Sequence, residues 1–419
     1  MNTKKIVRNL QYFKFSFYGF LKNLRFFDAF LILYLVEKGL SFTQVGILYA
    51  VREICINVFE VPSGIFADTF GRKLSLAGSF ILYILSFIVF YLFADFWLFM
   101  IAFILFGIAE AFRSGTHKGM IMDYLKNRNW QDRMMNYYGH TRAWSQFGSA
   151  LSAMIAGFIV FYSGSYDSIF LFSVVPYLLN FILILSYPQE LDRERKQVRL
   201  TEQKGLGFTL KSFMMVVRKP EVLKIINSSA VFSAYLKAVK DYIQPLMVQV
   251  AFILPVMITM EEEKKNGVVI GLLYFLIYLL TSISSRNSAR IAELNRRKIA
   301  YLTLIAGFLT GILCGAFYIG ELWIFSLIAF AGIYVVENVR KPILTGYAAA
   351  EVPNTILTSV LSAQSLLSTL LTAVLAPVFG LIADHAGIGS SMITISGFLL
   401  ISIIVIGNKK RGEKYASGN

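Results

Sequence analysis

Apolar residues in this chain run together in long stretches, and short polar or charged segments separate them. A helix needs about 20 apolar residues to cross a bilayer core of about 30 Å, and the stretches reach that length. The pattern predicts six membrane-spanning helices, a longer polar segment, and six more helices. The predicted spans are 12–36, 42–67, 74–94, 96–124, 136–162, 167–187, 221–256, 267–287, 299–318, 321–347, 357–382 and 389–407.

The polar segment between the sixth and seventh spans divides the chain into two halves. It includes the charged run PQELDRERKQVRLTEQKG. We therefore expect an N-terminal six-helix bundle over residues 1–188, a cytoplasmic linker over 189–220 and a C-terminal six-helix bundle over 221–419. Two six-helix bundles around a central cavity at the membrane midplane form a transporter architecture. The predicted fold class is an all-α polytopic membrane protein.

Composition supports a membrane protein and excludes several other classes. Of the 419 residues, 56% are hydrophobic and 16% are charged, whereas soluble domains carry about 25% charged residues. Cys55 and Cys314 lie in apolar stretches of opposite halves, so no disulfide framework is expected. The three histidines have no metal-binding spacing, and no metal site is predicted. These features exclude a soluble enzyme, a disordered chain and a disulfide-rich secreted protein.

Basic residues account for the net charge of +15, and they cluster in alternate loops. By the positive-inside rule these loops are cytoplasmic, and both termini lie with them. The turn near 348–356 is the exception, because its only charge is Glu351. We therefore expect a multi-pass protein of the inner (plasma) membrane, whose partner is the lipid bilayer and not nucleic acid.

The loop between the second and third spans reads GIFADTFGRK. It resembles the signature loop of the major facilitator superfamily at Gly64, Asp68, Gly71, Arg72 and Lys73, and it falls on the predicted cytoplasmic side. Together with the span count and the central linker, the resemblance covers the whole chain. It implies a secondary transporter that works by alternating access, with this loop latching the cytoplasmic gate. The corresponding loop of the second half keeps charge but not the pattern, so an asymmetric gate is expected.

Each residue of this loop has a chemical reason to be there. Gly64 is expected to let two helices approach closely, and Asp68 to accept hydrogen bonds from helix N-termini. Gly71 allows a tight turn, while Arg72 and Lys73 reach anionic headgroups or a carboxylate. The plainer alternative is that Arg72 and Lys73 only determine topology.

Overall, the chain resembles bacterial efflux-type members of the superfamily, although two of their patterns are incomplete. Phe103 stands four residues before Gly107, where many members carry an arginine linked to protons. The fifth span has a face of small residues but lacks the proline of the Gly-Pro motif that drug–proton antiporters carry. Both departures weaken an export assignment without affecting the fold.

Ionisable residues within the spans are the candidates for a transport site. Each costs about 2.5–3.5 kcal/mol at membrane depth, so each needs a partner or a function. In the first, fourth, seventh and tenth spans they recur at spacings of three or four, on one helical face. The resemblance implies that these four spans line the cavity. The candidates are Arg25, Asp28, Arg52, Glu53, Glu60, Glu110, Arg113, His117, Arg142, Lys237, Lys240, Asp241, Glu337 and Arg340. Salt bridges that only help helices pack are the alternative.

The charges of this set bear on the solute. Seven basic residues against six acidic ones, with His117 titratable, favour an anionic or zwitterionic organic solute held by arginine. Asp28 and Glu110 are the expected proton carriers. We expect a monomer that exports a small organic solute in exchange for protons. The alternatives are proton-coupled uptake of an organic anion and a receptor of the same fold that does not transport. No enzymatic activity, ATP or other cofactor is expected, because no phosphate-binding glycine loop is present.

Overall fold

The computed structural model shows helices joined by short turns, with no β-strand among the residues it describes. The described residues are 8–114, 116–130, 134–193, 220–254, 261–292, 296–351 and 354–416. The first half contains α1 (Leu10–Lys22), α2 (Leu31–Glu37), α3 (Phe42–Phe70), α4 (Arg72–Leu92), α5 (Phe96–Arg113), α6 (Thr116–Asn127), α7 (Met134–Ser163), α8 (Ser168–Leu185) and α9 (Glu190–Arg193). The second half contains α10 (Pro220–Val239), α11 (Ile243–Ile253), α12 (Glu262–Ala292), α13 (Arg296–Ile319), α14 (Trp323–Glu351) and α15 (Asn354–Ala416).

Within the described residues, eight helical segments are long and apolar enough to cross a membrane. They are Arg72–Leu92, Phe96–Asn127, His140–Ser163, Ser168–Leu185, Glu262–Ser284, Ile299–Ile319, Trp323–Leu344 and Ser362–Ile404. The last is 43 residues long and contains two predicted spans. Gly387 interrupts its helical geometry with φ 83° and ψ 163°, a conformation that glycine adopts without steric cost.

The fourth predicted span is divided between α5 and α6, and the first and seventh each break at a short 3₁₀ turn. The first span is divided into α1, a 3₁₀ turn at Phe26–Ala29, and α2. The seventh span is divided into α10, a 3₁₀ turn at Lys240–Tyr242, and α11. Irregular backbone at membrane depth is tolerated only where protein or a water-filled cavity covers it. The two breaks therefore mark positions that do not face lipid.

The chain packs as two compact units. Unit 1 consists of Met1–Leu40, Leu48–Thr209 and Pro255–Leu279, and unit 2 consists of Ser41–Ile47, Leu210–Leu254 and Leu280–Asn419. Consequently α3 and α12 each contribute residues to both units. The predicted bundle boundaries at 188 and 221 stay a prediction, because residues 194–219 of the linker lie outside the described residues.

Aromatic side chains form the core of unit 1 beside α4, α5 and α8. The ring of Phe87 lies 4.9 Å from that of Tyr177 and 5.1 Å from that of Phe27. Tyr83 contacts Tyr177 at 5.1 Å and Phe106 at 5.0 Å in edge-on geometry. Such pairs contribute about 0.5–1.5 kcal/mol beyond the area they bury. This aromatic cluster packs next to the charged residues of α5.

Glycines bring α7 and α12 into backbone contact within unit 1. A Cβ atom added to Gly157 would lie 2.5 Å from the carbonyl oxygen of Gly267 and 3.1 Å from Cα of Gly271. Gly267 and Gly271 are four residues apart, the small-residue spacing that permits close crossing of membrane helices. Any side chain at Gly157 would force these helices apart.

In unit 2, the first turn of α3 docks on α15 through the carboxylate of Asp384. The backbone N–H groups of Phe42 and Thr43 donate to this carboxylate at 2.8 Å, and the Thr43 hydroxyl donates at 2.5 Å. Acidic groups at a helix N-terminus satisfy unpaired N–H groups and interact favourably with the helix dipole. Gly380 supports this contact, because an added Cβ would lie 2.1 Å from the carbonyl oxygen of Phe42.

We predict that Asp384→Ala lowers the stability of the folded chain by about 0.5–2 kcal/mol, the usual cost of removing a helix cap. Asp384→Asn should lose less, since asparagine caps nearly as well. The measurement is thermal unfolding of the purified full chain in detergent. Glu321→Ala, at an exposed position, serves as the control. Equal unfolding temperatures for Asp384→Ala and the control would contradict the capping role.

Candidate functional site

The break in the first span creates the site in unit 1. Here α1 ends at Lys22, and Arg25 precedes the 3₁₀ turn that contains Asp28. The prediction that Arg25 and Asp28 share one face of a continuous helix is therefore wrong. Tyr177 donates to the carbonyl oxygen of Lys22 at 3.2 Å, and Asn23 Nδ2 donates to that of Ser145 at 2.6 Å. These two hydrogen bonds hold the chain where α1 ends.

Glu110, on α5, lies at the centre of this site between two arginines. Its Oε2 atom accepts hydrogen bonds from Arg25 Nη2 at 3.0 Å and from the Tyr83 hydroxyl at 2.5 Å. Its Oε1 atom accepts from Arg113 Nη2, and Arg113 Nε donates to the Tyr83 hydroxyl at 3.1 Å. Both carboxylate oxygens are therefore bound to guanidinium groups, the strongest kind of hydrogen bond in proteins. The cluster ties the broken first span to α4 and α5.

A cavity of about 280 Å³ adjoins this cluster, entirely within unit 1. Its charged lining residues are Lys22, Arg25, Asp28, Glu110 and Arg113. The side chains of Arg25, Glu110 and Arg113 are 22%, 20% and 14% exposed, so they reach the cavity while protein covers most of each. In such partly enclosed surroundings charges interact more strongly than in water. The cavity is suited to a small charged solute.

Two polar atoms in the lining of this cavity have no hydrogen-bond partner among the described residues. They are Nε of Arg25 and the hydroxyl of Ser152, both buried. Buried polar groups are normally paired, so each such group needs an explanation. Both residues line the cavity.

A second cavity, of about 330 Å³, lies on the other side of Arg113 and shares Lys22 and Asn23 with the first. His117 and Arg142 also line it. His117 is on α6, beyond the end of α5, so the expected continuous face from Glu110 through Arg113 to His117 is wrong.

The ring of His117 is held by aromatic residues at the wall of this second cavity. It stacks on Tyr18 with ring centres 3.6 Å apart, and one of its nitrogens lies 3.2 Å from the Tyr187 hydroxyl. The ring of Phe15 is nearly perpendicular to the imidazole, with ring centres 5.4 Å apart. These contacts fix the orientation of the imidazole.

Three predicted residues of the second span lie away from both cavities. Arg52 and Glu53 form a salt bridge at 3.3 Å, and the Arg52 guanidinium lies 4.9 Å from the ring centre of Tyr49. Glu53 is buried, whereas Glu60 is exposed. The two residues therefore differ in their exposure to solvent, although the sequence placed them on one helical face. Neither cavity includes any of the three.

In unit 2, the candidates of the seventh span have mixed partners. Lys240 Nζ lies 3.4 Å from the carboxylate of Asp241, and Lys237 Nζ donates to the Thr369 hydroxyl at 3.4 Å. Lys240 and Asp241 belong to the 3₁₀ turn, which corrects the prediction that they continue a helical face from Lys237. That one chamber unites the candidates of both halves stays a prediction.

The tenth-span residues Glu337 and Arg340 use separate partners instead of each other. Arg340 is 1% exposed. Its Nη1 atom donates to the Ala300 carbonyl at 2.6 Å and the Thr303 hydroxyl at 2.9 Å, while Nη2 donates to the Ser228 carbonyl at 2.9 Å. Glu337 accepts from the Ser233 hydroxyl at 2.5 Å. Arg340 thereby joins α10, α13 and α14 from a buried position.

The signature loop forms a tight turn between α3 and α4. Gly71 has φ 105° and ψ 147°, which places it in the region that favours glycine. Arg72 Nη1 contacts the Asp123 carboxylate at 2.8 Å, and Lys73 Nζ donates to the Tyr187 carbonyl at 2.9 Å. These contacts join the loop to α6 and to the segment after α8.

The other two loop residues show less. A Cβ atom added to Gly64 would meet nothing within 4 Å, so the close helix approach expected there is not found among the described residues. Asp68 is half-buried near the end of α3.

The sequence reasoning missed Lys22, Ser152 and Tyr278, which line the first cavity. Lys22 had a signal: it lies three residues before Arg25, the same spacing that singled out the other candidates. Ser152 and Tyr278 carry no charge, and only the packing of α7 and α12 brings them to the site.

The helical fold and this charged, partly enclosed site define a polytopic membrane transport protein. The chain belongs to the Major Facilitator Superfamily, whose sequence model matches residues 17–335. It is 24% identical over 382 residues to an uncharacterized MFS-type transporter, YxaM of Bacillus subtilis (strain 168), and the match covers 90% of each chain.

Solved transporters share this fold at low sequence identity. The nucleoside transporter NupG is 12% identical, with a TM-score of 0.71 over 94% of this chain and 97% of that one. A POT family transporter in complex with 5-aminolevulinic acid is 12% identical, with a TM-score of 0.72 over 97% of this chain and 98% of that one. Membership of the superfamily makes the protein a membrane-embedded, multi-pass transporter and not an enzyme.

We predict that Arg340→Lys destabilises the folded chain by about 1.5–3 kcal/mol, the contribution of one hydrogen bond to a charged group. Lysine keeps the charge but lacks the planar fork that reaches acceptors on two helices. Thermal unfolding of the purified full chain measures the loss. The matched control is Arg128→Lys, at an exposed position, which should unfold like the unaltered protein. Equal losses at both positions would contradict the joining role of Arg340.

Proposed function

We propose that this transporter takes up a small organic anion together with protons. It acts in the inner (plasma) membrane, with both termini in the cytoplasm, as the distribution of basic loops indicates. The observation that carries the proposal is the position of Glu110. Its two carboxylate oxygens accept hydrogen bonds from Arg25 and Arg113 at the edge of a cavity.

An ionised Glu110 competes with an anionic solute for the same guanidinium groups. When a proton neutralises Glu110, Arg25 and Arg113 lose their anionic partner beside the cavity. A solute carboxylate or phosphate then replaces it, because leaving buried cations without an anion is costly. Proton and anion therefore favour each other's binding.

Cooperative binding determines the direction of coupling. Two ligands that bind the same state together cross the membrane together, and an inward proton gradient then drives uptake. Asp28, which lines the same cavity, is the candidate for a second proton. Export in exchange for protons, expected from the resemblance to efflux-type members, requires proton and solute to compete. A cationic solute at Glu110 would meet that requirement.

We predict that the full chain in liposomes accumulates an organic anion when the outside is acidic. The probes are radiolabelled succinate, glutamate and glycerol 3-phosphate, with ethidium as the cationic probe. Glu110→Gln should lower gradient-driven accumulation at least tenfold while keeping exchange of solute at equal pH, because exchange needs no net proton movement. Glu321→Gln, an exposed acidic residue, is the control.

Other outcomes would overturn the proposal in different ways. Accumulation of ethidium when the inside of the liposomes is acidic, without anion flux, would support export by antiport. Absence of flux for every probe under both gradients would support the non-transporting receptor. Full gradient-driven uptake by Glu110→Gln would remove Glu110 from the coupling step.

The loop at Gly64, Asp68, Gly71, Arg72 and Lys73 is proposed as part of the cytoplasmic gate. Support comes from the glycine turn and from the contacts of Arg72 and Lys73 with α6 and the end of α8. These contacts hold the loop in one position relative to unit 1, as a latch requires.

We predict that Asp68→Asn slows anion flux at least tenfold and leaves the affinity for the anion unchanged, because Asp68 lies outside both cavities. Flux in liposomes and binding in detergent are measured on the same preparation. Glu190→Gln, exposed beyond α8, serves as the control. Unaltered flux with Asp68→Asn would contradict a gating role.

A further inference from the structure

The second cavity differs in charge from the first. Charges of both signs line the first cavity: Lys22, Arg25 and Arg113 are basic, and Asp28 and Glu110 are acidic. The second is lined by Lys22, Arg113, His117, Lys118 and Arg142, and no Asp or Glu is among its lining residues, all of which the structure describes. A partly open cavity lined by charges of one sign attracts the opposite sign and concentrates it.

The two cavities are adjacent and share part of their lining. Lys22, Asn23 and Arg113 line both, so a ligand in one cavity touches residues of the other. Small-molecule sites have volumes of roughly 300–1,000 Å³; the first cavity, at about 280 Å³, falls just below this range, and the second, at about 330 Å³, is near its lower limit. A single solute that extends past Arg113 would fill more of this space than one confined to either side.

Neutral donors complete the second cavity. The side chains of Asn23, Thr141 and Gln146 lie in its lining, and the stacked rings of Tyr18 and His117 provide a flat wall. Amide and hydroxyl donors together with lysine and arginine are the usual ligands of carboxylate and phosphate oxygens.

We propose that the second cavity binds a second oxyanion group of the transported solute, so that the preferred solute carries two acidic groups. One group replaces Glu110 at Arg25 and Arg113, and the other binds Lys22 and Arg142. This inference rests on the proposed function, because it assigns the first group to the site described there. Dicarboxylates and phosphorylated carboxylates share the required chemistry.

The test compares ligands that differ in one acidic group. Binding of succinate and butyrate, which share a four-carbon chain, and of 3-phosphoglycerate and glycerol 3-phosphate, which share a three-carbon chain and a phosphate, is measured by titration calorimetry on the purified full chain. We expect succinate or 3-phosphoglycerate to bind at least tenfold more tightly than its partner compound. Whichever pair shows the preference distinguishes a dicarboxylate from a phosphorylated carboxylate.

Arg142→Gln tests the second cavity itself. Arg142 is exposed on α7 and belongs to the second cavity alone, so the variant is expected to fold, as gel filtration can verify. It should reduce the preference for two acidic groups from tenfold or more to about one. Lys126→Gln, which removes an exposed charge outside both cavities, should keep the full preference.

The possible failures are distinguishable. Binding of butyrate and succinate with equal affinity, or an undiminished preference in Arg142→Gln, overturns the second anion site and leaves the proposed function intact. Absence of binding for all anions overturns both. Loss of preference in Lys126→Gln as well as Arg142→Gln would attribute the effect to overall charge and overturn the site.

Discussion

An ionised side chain at membrane depth is stable only when other groups replace water around it, and this constraint organises both units. Glu110 receives two guanidinium groups and a phenol, and these come from the broken first span and from α4 and α5. Arg340 receives carbonyl and hydroxyl oxygens from α10 and α13. In each case the partners belong to different helices, so satisfying the charge also fixes how those helices pack. A charge that is costly in isolation therefore becomes a point of assembly.

The two halves repeat one sequence feature and use it differently. Glu110 and Arg113 in the fourth predicted span have the same spacing as Glu337 and Arg340 in the tenth, and both the first and seventh spans break at a 3₁₀ turn. In unit 1 the glutamate and arginine bind each other beside a cavity. In unit 2 they bind separate partners, and the arginine is fully buried. The first arrangement retains charge accessible to a solute, whereas the second uses it for packing.

The hydrophobic pattern predicts where the helices lie, because burial in lipid demands long apolar stretches whatever the tertiary packing. It also brings Arg25, Asp28, Glu110, Arg113, His117 and Arg142 into consideration, and these residues line the two cavities. Spacing within the sequence identifies the pair of Glu110 and Arg113 but misses most other partners. Arg25 contacts Glu110, 85 residues away. The sequence did not predict this contact because neither glycine nor proline marks the helix end at Lys22. Partners such as Tyr83 and Ser228 are uncharged and give no signal until the helices pack.

The break after Lys22 links these structural features to function. A continuous helix would satisfy its own backbone and hold Arg25 in a fixed helical direction. Here Arg25 projects from a non-helical residue, with φ −98° and ψ 78°, and reaches the carboxylate on α5. Its partner group is the same carboxylate that contacts Arg113, so any change in the charge of Glu110 alters the interactions of two cations at once. Because Arg25 precedes the 3₁₀ turn and does not lie within a helix, its side chain can follow that change without unfolding a helix. In the proposed coupling, protonation of Glu110 would therefore rearrange the first span at its break after Lys22.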